Sequence, residues 1–257
     1  MDKNSSGMFE WIDAENTAIQ KFCQIEHFSW GQRYFCENGS DHGKFNFIRL
    51  LADSIGKREF LEIVAAQEQY FKERDRSLHI KLPSCVFKER PAWLDGFVET
   101  GSPLVSILIR HELLPLPKND DRISIVECKT QEDFEVFIEV NASGREWPLD
   151  HPVYEMMRDQ FSRTADDRLS YILYMNGSPA CTALALLFDD KYNLNFLATH
   201  KAFQRLGLMH YMNLWIAQKI ERDFYVQVND NEPSYVYYSK LAGAQIVNTE
   251  VKYIANA

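Results

Sequence analysis

Apolar and polar positions in the second half of the chain repeat with two different periods, which predicts strands interleaved with helices. Apolar residues recur every three to four positions in 205–222, where Leu208, Met212 and Ile216 share one helical face. Asn176-Gly177 separates two apolar runs and predicts a hairpin, because this dipeptide adopts positive φ at little cost. We predict strands at 123–128, 170–175, 180–188, 193–199, 224–228 and 244–254, and helices at 131–140, 153–161, 205–222 and 234–242.

The first half of the chain has a weaker pattern and ends in a proline-containing break. The segment 113–121 holds two prolines followed by a polar, turn-forming run, which interrupts any regular element. The sequence therefore predicts two domains, 1–117 and 118–257. Within the first we predict helices at 44–55 and 58–72, a short helix that ends at Gly96, and strands at 76–82 and 104–109.

The segment from Thr199 to Met209 lies between a predicted strand and a predicted helix, which suits it to anion binding. The first amides of a helix have no intrahelical acceptor and the helix dipole attracts negative charge there, so the amides of Arg205 and its successors could bind phosphate. Gly207 would let an anion approach the backbone closely. Taken alone, a glycine that opens a helix more often serves packing or capping.

Composition and charge narrow the function classes. With 257 residues, 46% apolar and 25% charged, the chain is typical of a globular protein. A net charge of −9 argues against a nucleic-acid partner and would more readily attract a cationic substrate. The five cysteines are widely spaced and form no C-x-x-C pair, which favours free thiols in a reducing compartment and argues against a metal site. Residues 1–7 lack the apolar core of a secretory signal and no apolar run reaches membrane-spanning length, so we expect a cytoplasmic protein without a membrane partner.

Residues 121–257 resemble the GCN5-related N-acetyltransferases (GNATs) in their order of elements and in three motifs. The first motif is the hairpin at 176–179 followed by two apolar strands. The second is the family's acetyl-CoA signature of Gln or Arg, two residues, Gly, one residue, then Gly or Ala, matched at Gln204 and Gly207 but not at Met209. The third is Asn231-Glu232-Pro233-Ser234 followed by Tyr238-Ser239-Lys240-Leu241 and Gly243, with Ala242 as an inserted residue.

The resemblance implies an α/β (α+β) protein with the GNAT acyl-CoA N-acyltransferase fold, in which helices flank a central mixed, largely antiparallel sheet. Residues 71–109 look like a fainter version of the end of the same fold, so we expect a tandem with a degenerate GNAT-like half at 1–117. No cofactor loop is recognisable there. A helical cap or a dimerisation domain is the alternative for this half.

The function that the resemblance implies is acetyl transfer from acetyl-CoA to a primary amine of a small molecule or peptide, by a monomer or a homodimer. Tyr238 would protonate the leaving sulfur, although packing within its aromatic run is the alternative. Glu146 and Asp150 are our candidate bases, because their loop would border the acceptor site in such a fold, and Trp147 lies in the same loop. A solvated loop carboxylate is the alternative for both. A non-catalytic acyl-CoA-binding or interaction module with this fold is the competing function. The residues expected to bind the cofactor are Phe196, Leu197, Ala198, Thr199, Gln204, Arg205, Leu206, Gly207, Leu208, Met209, His210, Asn231, Ser234 and Tyr238.

Overall fold

The computed structural model describes residues 3–20, 23–37, 46–84, 86–163 and 168–255. These residues form two compact units, and each unit is discontinuous along the chain. Unit 1 comprises 1–106, 228–237 and 246–257, and unit 2 comprises 107–227 and 238–245. The domain boundary predicted at 117/118 separates two halves of the sequence that we expect to have related folds. It stays a prediction. Within the described ranges, no helix combines the length and the apolar character that crossing a bilayer requires.

Helices and strands alternate along most of the described residues, with short 3₁₀ turns at 92–94, 111–113 and 201–203. The helices are α1 (Lys3–Ile19), α2 (Lys57–Lys72), α3 (Gln131–Arg145), α4 (Pro152–Arg163), α5 (Leu208–Ile220) and α6 (Pro233–Tyr238). The strands are β1 (Gln24–Phe28), β2 (Gly31–Phe35), β3 (Phe47–Leu50), β4 (Ile80–Pro83), β5 (Phe97–Glu99), β6 (Leu104–Ile109), β7 (Ile123–Glu127), β8 (Arg168–Met175), β9 (Ser178–Phe188), β10 (Lys191–Thr199), β11 (Asp223–Asn229) and β12 (Ala244–Ala255).

Unit 1 contains a mixed sheet in the order β1-β2-β3-β4-β12. All its neighbouring pairs are antiparallel except β3 with β4, and β5 pairs with β12 as a further antiparallel strand. Its apolar core includes Ile48, Leu50, Phe60, Phe71, Ile80 and Leu94.

The predicted helix at 44–55 is wrong where the structure describes it, because β3 occupies its centre. All four residues of β3 are buried, and the strand pairs with β2 on one side and β4 on the other. A short, fully buried strand has no polar face, so its sequence lacks the alternation that would distinguish it from a helix. The α1 helix and the β1–β2 hairpin were not predicted.

A cluster of buried charged side chains lies in unit 1 around Arg49, which is completely buried. Its guanidinium is hydrogen-bonded to the carboxylate of Glu15 on α1, to Glu250 Oε1 on β12 at 2.6 Å, and to Tyr34 Oη at 2.6 Å. Lys81 Nζ lies 3.6 Å from the other oxygen of Glu250. Two cations therefore balance two carboxylates inside the unit. Burial disfavours the charge of Glu250, but Arg49 and then Lys81 outweigh it and lower the pKa of that carboxyl.

Unit 2 contains the sheet β7-β8-β9-β10-β11, in which only β10 and β11 are parallel. The α3 and α5 helices contact β9 and β10. The prediction of a mixed, largely antiparallel sheet flanked by helices is confirmed. The buried residues of this unit include Phe134, Phe137, Ile172, Leu173, Ala183, Leu184, Leu194, Met212, Ile216 and Val226.

The helix ends in unit 2 differ from the predicted ones for local backbone reasons. The α3 helix has the predicted capping box between Thr130 and Asp133, but it continues to Arg145 rather than ending at residue 140. The α5 helix begins at Leu208 and not at Arg205, because Arg205 has φ of 66° and Gly207 has φ of 75°, both outside the helical region. The α6 helix ends at residue 238, four residues earlier than predicted.

Candidate functional site

The β10 and β11 strands separate part-way along their length. Their parallel ladder runs from Lys191–Asp223 to Leu194–Val226 and ends there, although β10 continues to Thr199. Beyond the ladder, the register of β10 with β9 shifts between residues 195 and 198, and Phe196 has a left-handed φ of 48°. Such a separation presents backbone polar groups to a ligand in the way that a sheet edge presents them to an added strand.

The irregular end of β10 is held by the last turns of α3. Asn141 Nδ2 donates to the carbonyl of Phe196 at 2.7 Å, and Arg145 Nη2 donates to that of Leu197 at 3.5 Å. A Cβ on Gly144 would lie 2.6 Å from the carbonyl oxygen of Thr199, so only glycine allows this approach. The sequence prediction missed this support, because it assigned residues 141–152 to a loop. Asn141 and Gly144, three positions apart, were the only signal in the sequence of a close contact at this point.

The loop after β10 has the backbone geometry of an anion site. His200 Nδ1 accepts from the amide of Ala202, which starts a 3₁₀ turn. The left-handed residues Arg205 and Gly207 then lead into α5, whose first intrahelical bond runs from the amide of Tyr211 to the carbonyl of Gly207 at 3.1 Å. The amides of the two residues after Gly207 therefore have no intrahelical acceptor, and the positive end of the helix dipole lies at the same place.

The side chains of this loop leave its surface open. Gln204, Arg205, Gly207 and His210 are exposed, and a Cβ placed on Gly207 would meet no atom within 4 Å. Met209, the residue that departs from the family signature, is half-buried. Amides without an intrahelical acceptor, an exposed guanidinium and open space fit a phosphate group. The roles of the predicted cofactor-binding residues 196–199 and 204–210 stay predictions.

Tyr238 is the last residue of α6 and is only 2% exposed. Its hydroxyl accepts a hydrogen bond from Nδ2 of Asn213 on α5 at 2.9 Å. Asn213 is buried in turn, and its Oδ1 has no hydrogen-bond partner in the described part of the chain. The sequence prediction singled out Tyr238 and missed Asn213, although an asparagine within the apolar helix 208–220 was a visible signal.

Glu146, the predicted base, lies at the left-handed C-cap of α3 with φ of 56°. Lys201 Nζ donates to its carboxylate at 2.6 Å, and this bond lowers the pKa of Glu146. A lowered pKa makes a carboxylate a weaker base, so the ion pair opposes the predicted role. The two side chains border a surface pocket of about 440 Å³, whose other lining residues are Glu139, Ala142, Ser143, Trp147 and Leu149.

Asn231 and Ser234, the two remaining predicted cofactor residues, belong to unit 1. Asn231 is exposed in the turn after β11, and Ser234 Oγ in α6 donates to Glu232 Oε2 at 3.1 Å. Asn229 Nδ2 donates to the other oxygen of Glu232 at 2.5 Å. This turn is therefore tied together by its own side chains, and the cofactor role of Asn231 and Ser234 stays a prediction.

Comparison with known proteins identifies the fold. No protein-family model and no curated protein matches the sequence. A GCN5-related N-acetyltransferase from Kribbella flavida is 13% identical with a TM-score of 0.70, covering 97% of this chain and 96% of its own. One from Sphaerobacter thermophilus is 12% identical with a TM-score of 0.60, covering 80% of this chain and 72% of its own. A tandem GNAT protein from the clavulanic acid biosynthesis pathway is 11% identical with a TM-score of 0.58, covering 81% and 74% respectively. At sequence identities of 11–13%, the similarity to these structures shows the architecture alone. The chain has the fold of the GCN5-related N-acetyltransferases, as its motifs predicted.

Proposed function

We propose that the protein is an acetyl-CoA-dependent N-acetyltransferase that acetylates a primary amine. The observation that carries this proposal is the separation of β10 from β11, followed directly by a loop whose backbone suits an anion. A nucleotide thioester with a pyrophosphate and an amide-rich arm matches both features. The cysteine pattern supports a cytoplasmic location, and we expect a monomer or a homodimer.

The binding residues divide between backbone and side chains. The amides of residues 205–210 would hold the pyrophosphate at the start of α5, with Gln204 and Arg205 adding a hydrogen bond and a positive charge. The backbone of 196–199 would hydrogen-bond the amide groups of the arm, in the manner of an added strand.

The chemistry requires a neutral amine and a proton for the departing thiol. When bound, acetyl-CoA supplies the acetyl group as a thioester. The amine nitrogen forms a bond to the carbonyl carbon, the carbon–sulfur bond breaks, and Tyr238 gives its hydroxyl proton to the sulfur. The amine loses one proton to a base or to water, and Tyr238 regains its proton from solvent, which balances the reaction.

The acceptor is a small-molecule or peptide amine, and a cationic one fits best. Glu139 and Glu146 border the pocket beside the end of β10, and Trp147, whose ring stacks on His151 at 4.3 Å between centroids, lines the same pocket. The net charge of −9 favours the same class of ligand. Glu146 could accept the amine proton only if the acceptor displaced Lys201 from its carboxylate.

Calorimetric titration with CoA and with acetyl-CoA tests the binding step. Gly207→Ala should weaken binding at least tenfold, because alanine destabilises the left-handed conformation that shapes the loop. Gly177→Ala is the matched control: its φ of 77° is within 2° of that of Gly207 and its surroundings are equally open, but it lies in the β8–β9 hairpin. Absence of binding to the unmodified protein at millimolar ligand would refute the cofactor assignment, and equal loss in both variants would refute the role of the loop.

A non-catalytic acyl-CoA-binding or interaction module is the second candidate function. The ion pair that lowers the pKa of Glu146 favours it, since it weakens the candidate base. Thiol release from acetyl-CoA with a panel of polyamines, amino acids and lysine peptides separates the two functions. An enzyme should release thiol with at least one amine and lose that activity in Tyr238→Phe while CoA binding persists. Binding without release from any amine would favour the module.

A further inference from the structure

We propose that Asn213 is the positioning residue for Tyr238, orienting its hydroxyl proton toward the acyl donor and stabilising the phenolate that remains after proton transfer. This inference rests on the proposed function, in which Tyr238 is the acid. The pair joins two elements: Asn213 lies on α5, the helix that begins at the anion loop, and Tyr238 ends α6. One helix would therefore hold the pyrophosphate at its start and the acid further along.

The direction of the hydrogen bond decides what Tyr238 can do with its proton. Nδ2 of Asn213 is a donor only, so at 2.9 Å the tyrosine oxygen acts as acceptor in this contact. The phenol therefore directs its own proton away from Asn213. An acceptor at position 213 would have the opposite effect, because it would bind that proton and keep it from the sulfur.

The hydrogen bonding around the pair argues against a purely structural role. Asn213 is 1% exposed, and its Oδ1 lacks a partner among the described residues. Tyr192 Oη on β10 is equally buried and likewise has no partner in the described part of the chain. Buried polar atoms are nearly always paired, and leucine would fill this space without an unsatisfied oxygen. The presence of an asparagine here despite that cost indicates that its NH₂ group, which donates to Tyr238, has a function.

The neighbouring titratable groups do not change charge near neutral pH. Burial first, and Tyr238 second, keep the pKa of Tyr192 well above its ordinary value, with smaller effects from Tyr171 and Asp223. Burial raises the pKa of Tyr171 on β8 to about 12. Burial opposes the charge of Asp223, but bonds from His111 and Arg110 lower its pKa, so it stays ionised. A difference in the ionisation of Tyr238 between variants therefore cannot come from a change of charge on these three neighbours.

The direct test measures the ionisation of Tyr238 by NMR in protein labelled at the tyrosine ring carbon Cζ. The Tyr238 signal is identified by its absence in Tyr238→Phe. A donor favours the charged phenolate, so Asn213→Leu should raise the titration midpoint by about one pH unit, and Asn213→Asp should raise it further because it adds a negative charge. Met212→Leu, a volume-conserving change at the preceding buried residue of α5, should leave the midpoint unchanged. Unchanged midpoints in both Asn213 variants would overturn the inference whatever the acceptor is.

The kinetic test uses thiol release from acetyl-CoA with the amine that gives the highest rate. Asn213→Leu should lower kcat about tenfold to hundredfold with little change in the KM for acetyl-CoA, and the alkaline limb of its pH profile should move upward with the NMR midpoint. A purely structural role would lower activity without moving the limb. If Tyr238→Phe abolishes turnover and Asn213→Leu does not, the inference is wrong and the proposed function stands. If Tyr238→Phe retains turnover, Tyr238 is not the acid. The inference about Asn213 and the role of Tyr238 in the proposed function are then both wrong.

Discussion

Replacing Arg49 by methionine should strongly destabilise unit 1, because it removes the central cation of a buried cluster. Arg49 is completely buried and is hydrogen-bonded to Glu15, Glu250 and Tyr34. The four charges of the cluster, with Lys81 as the second cation, sum to zero. Without Arg49 they sum to −1, and Lys81 Nζ remains 3.6 Å from Glu250.

The expected loss in the free energy of unfolding is about 3–5 kcal/mol, the range found when one partner of a buried ion pair is removed. It should depend on pH. Glu250 has a lowered pKa, so its ion pairs stabilise the folded protein above about pH 4.5, the ordinary value for glutamate, and this contribution is lost as the pH falls through the lowered value. Without Arg49, burial should raise that pKa instead. The gap between the two proteins should therefore be widest at pH 7 and should narrow toward pH 5.

Urea unfolding followed by circular dichroism measures the loss, and hydrogen exchange of the peptides that contain β2 and β3 assigns it to unit 1. Arg58→Met is the control, since Arg58 forms an ion pair with Glu62 at 2.9 Å on the surface of α2 with its side chain 93% exposed, and should cost less than about 1 kcal/mol. Arg49→Lys keeps the positive charge but lacks the several N–H donors of the guanidinium. Its loss of unfolding free energy should lie between those of the other two variants, and it can be measured even if the methionine variant does not fold. A loss for Arg49→Met no larger than that of Arg58→Met, or one independent of pH, would refute the reasoning.

Three further predictions concern unit 2. Asn141→Leu should weaken CoA binding by about tenfold in calorimetry, because it removes the 2.7 Å hydrogen bond from Asn141 to the Phe196 carbonyl. Unchanged affinity would mean that other contacts fix the irregular end of β10. Gly144→Ala should lower the unfolding free energy by about 1–3 kcal/mol, because its Cβ would lie 2.6 Å from the Thr199 carbonyl oxygen; a stability equal to that of the parent in urea would contradict this contact. Asp223→Asn should cost about 1–2 kcal/mol at pH 7. Because the pKa of Asp223 is lowered, its contribution is complete above about pH 4 and is lost as the pH falls through the lowered value, so the difference should shrink as the pH falls further; a difference that stays constant in acid would contradict the assignment.

The sequence predicted unit 2 well because its signals are local. The capping box between Thr130 and Asp133 spans four residues, and the Asn176-Gly177 turn needs only its two flanking strands. Hydrophobic periodicity likewise depends on neighbours within a few turns. Each of these patterns can be recognised without knowing what lies elsewhere in the fold.

Unit 1 was harder to predict because its stabilising contacts join distant parts of the chain. Arg49 lies within β3, and a charged residue in an apolar run suggests an amphipathic helix when its partner is unknown. That partner, Glu250, is 201 positions away. The same limit hid Asn213, since its bond to Tyr238 spans 25 positions and no local pattern requires it. Buried polar pairs are thus specified by topology, which a single sequence reveals only where a known family supplies it.

Phe196 and Arg205 are both left-handed residues of the candidate site, but they differ in what holds them, and this difference bears on function. Each costs roughly 1–2 kcal/mol in backbone strain for a residue other than glycine. Phe196 is buried, and its carbonyl is bonded to Asn141, so the fold itself maintains its conformation. Arg205 is exposed, and its side chain forms no hydrogen bond with the residues that the structure describes. Glycine would suit that backbone better. Under the proposed function, the arginine supplies positive charge beside a helix start, for an anion that the neighbouring amides alone would hold less tightly.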